Sequence, residues 1–176
     1  MPLTVTRRRF VTALAVALPG LAVRPLDAAA TRVLAFRHLH TAERLTVDYY
    51  SAGVYLPDAL DAINHVLRDF RTGEVHAIDP ALLDLLYRLH GATGARQPFE
   101  VISGYRSPAT NQMLRQHSNG VASGSLHMQG QAIDIRVADV PLARLRDTAL
   151  GLRLGGVGYY RSSNFVHVDT GRVRFW

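Results

Sequence analysis

The stretch "SLHMQGQAIDIRV", residues 125–137, joins a polar loop to a strand and sets His127 and Asp134 on either side of Gly130. "QAIDIRV" has the apolar, β-branched character of a strand. An aspartate between Ile133 and Ile135 needs a reason, because Asp is depleted in strands. Gly130, at the junction, permits a tight approach of the backbone. Read singly, His127 is a loop histidine and Asp134 a turn or salt-bridge acid. A second fragment, "NFVHVDTG" at 164–171, changes that reading. Alternation there places His167 and Asp169 on one face and Val166 and Val168 on the other. Alone, His167 reads as a satisfied sheet histidine, but adjacent strands would bring it beside Asp134.

His127, Asp134 and His167 together suit one zinc ion. A catalytic zinc takes three protein ligands and keeps a fourth position for water. Two neutral imidazoles and one carboxylate leave the ion with net positive charge, which acidifies a water and polarises a substrate carbonyl. The chain has no cysteine, so disulfides and thiolate metal sites are excluded.

Outward from this stretch the pattern is mixed. "RVLAFRHLHTAERLTVDYY" reads as a hairpin and "LPDALDAINHVLRDF" as a helix, with "RTGEVHAI" as connector. "DPALLDLLYRLHGATG" is a helix with Asp79 as cap, Pro80 in the first turn and Gly91 as its expected stop. "FEVISGY" is a strand, and "SPATNQMLRQ" a helix with Ser107 as cap and Pro108 at its first position. "HSNGVASGS" is a flexible loop. "PLARLRDTALGL" is a helix, and short strands follow in "GGVGYY", "NFVHVDTG" and "RVRFW". The expected class is α+β, with helices grouped early, packed on one side of an antiparallel sheet that lies mostly towards the end.

The 176 residues are 48% apolar and 19% charged, which suits one globular domain rather than a disordered chain. All 20 basic residues are arginine, and the formal charge is +6. Arg7, Arg8, Arg9 and Arg24 lie in the first thirty residues, leaving 16 basic against 13 acidic residues beyond them. That small excess, without a basic stripe carrying interleaved aromatics, argues against nucleic acid. "TRRRFVTALAVALPGLAV" has the twin-arginine export pattern, and "DAAAT" offers small residues for cleavage near Ala30. The expected organisation is an export segment at 1–30 and one domain at 31–176, in the periplasm or cell envelope. The apolar run Val11–Val23 is short for a span of about 20 residues, so no stable membrane insertion is expected after cleavage.

"SGYRS" at 103–107, the Ser-x-His-x-x-Gly-x-Ala-x-Asp pattern at 125–134 and "HVD" at 167–169, in this order, resemble the LAS group of zinc peptidases. That group includes D-alanyl-D-alanine carboxypeptidases, murein endopeptidases and the hedgehog domain. "HTAERLTVDYY", "RTGEVHAIDPALLD", "FEVISGYRSPATN", "SLHMQGQAIDIR" and "GGVGYYRSSNFVHVDTGRVRFW" extend the likeness, closest to exported MepK-type murein endopeptidases, over nearly all of residues 33–176. The resemblance implies a hedgehog-like or D-Ala-D-Ala-peptidase-like fold and one Zn2+ held by His127, Asp134 and His167. It implies that Arg106 binds substrate and steadies the oxyanion, that Ser125 supports the ligands and substrate, and that the substrate is the peptide stems of peptidoglycan. One position departs from the carboxypeptidase branch. Three residues before His167 that branch has an acidic general base, where this chain has Asn164. Asp169 is the nearest same-face carboxylate, to act as the catalytic base or to orient His167. His117 is a further candidate for proton transfer, and Tyr159 and Tyr160 for lining the cleft. The expected activity is cleavage of peptidoglycan cross-links. The alternatives are a D,D-carboxypeptidase trimming terminal D-Ala, and a non-catalytic zinc domain that binds the cell wall.

Overall fold

The computed structural model describes residues 30–117 and 122–176, so the expected export segment and the middle of the "HSNGVASGS" loop lie outside the described residues. Strands β1 (Arg32–His38) and β2 (Arg44–Ser51) pair antiparallel, as their alternation predicts. Leu34 and Phe36 of β1 enter the core, while Val33 and Arg37 face outward or sideways. A short β3 (Val54–Tyr55) pairs with β2. The chain then runs through α1 (Pro57–Val66) and α2 (Pro80–Thr93) to β4 (Phe99–Ser103) and α3 (Pro108–His117). A 3-10 turn (Leu126–Gln129) leads into β5 (Ala132–Val137), followed by α4 (Leu142–Leu152). Strands β6 (Gly156–Tyr160), β7 (Phe165–Asp169) and β8 (Arg174–Phe175) complete the order.

The fold is α+β, with one eight-stranded sheet in the order β3-β2-β1-β4-β5-β7-β6-β8. Two neighbouring pairs, β1 with β4 and β6 with β8, run parallel, so the sheet is mixed rather than wholly antiparallel. A parallel pair needs a long crossover, and the chain between β1 and β4 supplies one through α1 and α2. The helices are accordingly interleaved with the strands, not confined to the first half. Helix α2 starts where Asp79 accepts from the Ala81 N–H at 2.9 Å, with Pro80 in its first turn. It stops at Gly94, in the left-handed region at φ 66°, and not at the expected Gly91, which lies within the last turn and accepts from Gly94 at 3.2 Å. Ser107 accepts from the Thr110 N–H at 3.2 Å at the head of α3.

The core positions the site. Helix α2 packs on β1 and α4, α4 packs on β5, β6 and β7, and α1 packs on β2. Leu82, Leu86 and Leu89 of α2 and Leu145 of α4 are buried in one cluster with Ile133 and Ile135 of β5 and Val166 and Val168 of β7. The side chains that alternate with these on β5 and β7 face the opposite side, and they include Asp134, His167 and Asp169. Among the described residues no helix is long and apolar enough to cross a membrane.

Candidate metal centre

Register brings the distant residues together. Asp134 of β5 lies directly across from His167 of β7, and Ile133 and Ile135 pair with Val168 and Val166 on the core side. His127 arrives from the 3-10 turn that precedes β5. Gly130 closes that turn at φ 66°, where a Cβ would overlap the Ala77 carbonyl oxygen. The Gly130 carbonyl accepts from the Asp79 N–H at 3.0 Å, so the turn docks against the start of α2.

The three side chains are buried, and each offers one ligand atom to a common point. The His127 Nε2 to His167 Nδ1 distance is 3.2 Å, the His167 Nδ1 to Asp134 Oδ1 distance 2.9 Å and the His127 Nε2 to Asp134 Oδ1 distance 3.3 Å. Their partners decide which atoms these are. His127 Nδ1 lies 2.7 Å from the Gly104 carbonyl, which only accepts, so Nδ1 carries the proton and Nε2 presents a lone pair. His167 Nε2 lies 3.0 Å from Asp169 Oδ2, so in the neutral ring Nδ1 presents a lone pair. Two ring lone pairs and a carboxylate oxygen therefore converge, an arrangement that calls for a cation or a shared proton between them.

The charges agree with this. Burial alone raises the Asp134 pKa, but the two imidazoles outweigh it and hold the carboxyl far below the usual range. Burial lowers His127. Burial also works against charge on His167, yet the hydrogen bonds to Asp134 and Asp169 prevail and raise it. The residues present fit a divalent metal in the manner of two imidazoles and one carboxylate.

Arg106 donates from Nη2 to Asp134 Oδ2 at 2.8 Å and from Nε to Ser103 Oγ at 3.2 Å. The carboxylate is thus shared, with Oδ1 towards the two histidines and Oδ2 towards Arg106. Ser125 immediately precedes the turn that carries His127; its carbonyl accepts from Met128 N–H at 3.0 Å, and its hydroxyl does not cap the turn. Asp169, fully buried, accepts from His167 Nε2, from the N–H groups of Gly156 (3.0 Å) and Gly171 (2.8 Å), and from both ends of the Arg174 guanidinium at 3.0 and 2.7 Å. Burial raises Asp169, but these donors hold it well below the ordinary carboxyl value.

Asn164 is exposed in the turn between β6 and β7, at φ 55°, a conformation that Asn tolerates better than most residues. His117 ends α3, where its Nδ1 lies 2.8 Å from the Met113 carbonyl of the same helix. Tyr160 stacks on Phe165 at 4.5 Å and accepts from Trp176 Nε1 at 2.8 Å. Tyr159 packs under Arg146, 4.6 Å from ring to guanidinium.

Several neighbours were not legible as site residues. The Trp176 ring, 49% exposed, lies 5.3 Å from the His167 ring and forms one wall beside the centre. Gly158, opposite His167, makes room for it, because a Cβ there would lie 2.8 Å from the Trp176 ring. Next to Arg106 in the chain, Tyr105 stacks on His76 at 4.6 Å, and its hydroxyl donates to Glu74 at 2.6 Å. Arg174 of β8, which pairs with β6 and not with β7, reaches Asp169 only through the folded turn between them, so no spacing in the sequence marks it.

An α+β sheet that brings His127, Asp134 and His167 together from a turn and two neighbouring strands fits the LAS class of metal-dependent peptidases. Residues 26–176 match the family Peptidase_M15_2, described as peptidoglycan L,D-endopeptidase MepK. The chain is 44% identical to the peptidoglycan L,D-endopeptidase MepK of Escherichia coli K12, over 97% of this chain and 96% of that protein. It is also 44% identical to a probable peptidoglycan L,D-endopeptidase MepK of Haemophilus influenzae, over 90% of this chain and 86% of that protein. The chain belongs to the MepK family of peptidases.

Proposed function

We propose that the protein hydrolyses peptide cross-links of peptidoglycan with one zinc ion held by His127 Nε2, Asp134 Oδ1 and His167 Nδ1. The observation that carries this reading is the triangle of lone pairs. Its edges of 2.9, 3.2 and 3.3 Å lie near the edge of about 3.3 Å that a tetrahedron with metal–ligand distances of about 2.0–2.1 Å requires. Zinc bound there would supply Lewis acidity towards a scissile carbonyl and a water.

The chain's own groups have separable tasks. Arg106 orients Asp134 through Oδ2 and keeps donors over for the carbonyl oxygen as charge develops on it. Asp169 is a positioning residue for His167. Its two oxygens already take five donors and its pKa is depressed, so it is poorly placed to take a proton as general base. Ser125 supports the His127 turn through its carbonyl. The family resemblance favours the L,D cross-link. The twin-arginine pattern at Arg7–Arg8 favours work outside the cytoplasm after export and cleavage near Ala30.

The test is to incubate the purified protein with L,D- and D,D-cross-linked muropeptide dimers, with zinc and with chelator, and to weigh the products. Zinc-dependent conversion of the L,D-linked dimer to monomers is the expected result. Loss of terminal D-Ala with cross-links intact would overturn it in favour of a carboxypeptidase, and cleavage unaffected by chelator would remove the metal from the reading.

A further inference from the structure

Between α1 and α2 the chain passes beside the centre without regular structure, and one carboxylate fixes its course. Asp69, 1% exposed, accepts from the Arg71 N–H at 2.9 Å, the Ser107 N–H at 2.9 Å and the Ser107 hydroxyl at 2.7 Å. Residue 71 is thereby clamped against the residue that follows Arg106. The Phe70 ring is stacked on His40 at 4.0 Å and 7°, and the Arg71 guanidinium lies 4.2 Å from the same ring centre. Two groups at that height over one ring must take opposite faces, so Arg71 is pre-oriented by a cation–π contact.

Arg71 is exposed, and among the described residues its guanidinium forms no ion pair. Burial of part of the group lowers its pKa, Asp69 opposes this, and the charge of Arg106 lowers it further. Asp69 outweighs Arg106 in its effect on the Arg71 charge, so the guanidinium is held in place as a cation while its N–H donors are left for an incoming anion. A planar guanidinium at such a place suits a carboxylate, which it can engage through two parallel hydrogen bonds. Diaminopimelate cross-links present one: the carbon bearing the linked nitrogen also bears a carboxylate. With Arg106 at the scissile carbonyl, that carboxylate would lie on the amine side of the bond, a few ångströms away.

We propose that Arg71, stacked on Phe70 and clamped by Asp69 beside Arg106, is the subsite that pairs with a free carboxylate on the amine side of the cross-link. The inference rests on the proposed peptidoglycan-hydrolase function. It makes amidation of that carboxylate a determinant of which cross-links are cut.

Two measurements test it. In the first, cross-linked dimers with that carboxylate free or amidated are cleaved by the zinc-loaded wild type, Arg71→Gln and Arg71→Lys. The wild type is expected to favour the free carboxylate by about 10- to 100-fold in KM, the range of a charge-assisted hydrogen bond. Arg71→Gln should lose that preference mainly through KM, and Arg71→Lys should keep part of it. In the second, calorimetry measures binding of the free-amine diaminopimelate tripeptide, with free or amidated carboxylate, to the same three proteins. The same dependence on Arg71 is expected. Arg71-dependent binding by a protein that cuts neither dimer would retain the subsite and sink the hydrolase reading. A wild type with no carboxylate preference, or a preference that Arg71→Gln leaves intact, would overturn the subsite itself.

Discussion

His127 and His167 offer different ring nitrogens to one point, and a single partner behind each ring decides which. The Gly104 carbonyl holds the His127 proton on Nδ1, and Asp169 holds the His167 proton on Nε2. Asp169→Asn would leave the ring with a neutral partner free to flip and would leave Arg174 without its bidentate acceptor. Zinc affinity, read by competition with a chromophoric chelator, should fall about 10- to 100-fold, as for other partners of metal-ligating histidines. An unchanged affinity would mean that Asp169 does not orient His167. Two of the three candidate ligands were readable because Asp134 and His167 break the apolar pattern of two strands. Arg71 and Trp176 were not, because exposed arginines and aromatics carry no periodic signal and acquire meaning only from what folds beside them.

At the scale of elements, the 3-10 turn and the β1–β2 turn each rest on one residue. Gly130→Ala would add a Cβ at positive φ against the Ala77 carbonyl, in backbone that cannot retreat without breaking the Asp79–Gly130 bond. A loss of about 2–4 kcal/mol in chemical denaturation is expected, together with weaker zinc binding, because the turn carries His127. His38 is fully buried at the end of β1, and its Nδ1 accepts from the N–H groups of His40 (3.2 Å) and Thr41 (3.4 Å). Burial, helped by His40, pushes its pKa down to about 4. The unfolded ring titrates near 6.5, so below that pH the unfolded chain binds a proton that the folded one refuses. Stability is therefore fully present above about pH 6.5 and falls towards pH 4, by about 2–3 kcal/mol. His38→Asn, which keeps an acceptor for the turn and cannot titrate, should flatten that slope in urea titrations across the window. The hairpin and the α2 cap were legible in local chemistry. The stop at Gly94 rather than Gly91 was not, because both glycines satisfy the local rule and packing of Leu89 and Thr93 carries the helix one turn further.

At the scale of the molecule, zinc would tie a turn and two central strands that the core alone holds in register. At a free zinc concentration of about 100 times the dissociation constant, binding adds about 2.7 kcal/mol. The melting midpoint of the chelated protein should lie about 5–10 °C below that of the zinc-loaded one. Equal midpoints would show that the metal does not bind the native state. The α+β class, most of the strands and helices and the candidate ligands Asp134 and His167 were legible in the sequence, because periodicity, capping and a polar residue in an apolar strand are local chemistry, whereas the short β3 and the end of α1 at Val66 were not. The parallel pairing of β1 with β4, the ring nitrogen each histidine presents, the saturation of Asp169 by Arg174 and two backbone donors, and the placing of Arg71 beside Arg106 belong to the tertiary structure. Each depends on groups that only sheet order and loop packing bring within hydrogen-bonding distance, and no spacing along the chain encodes that distance.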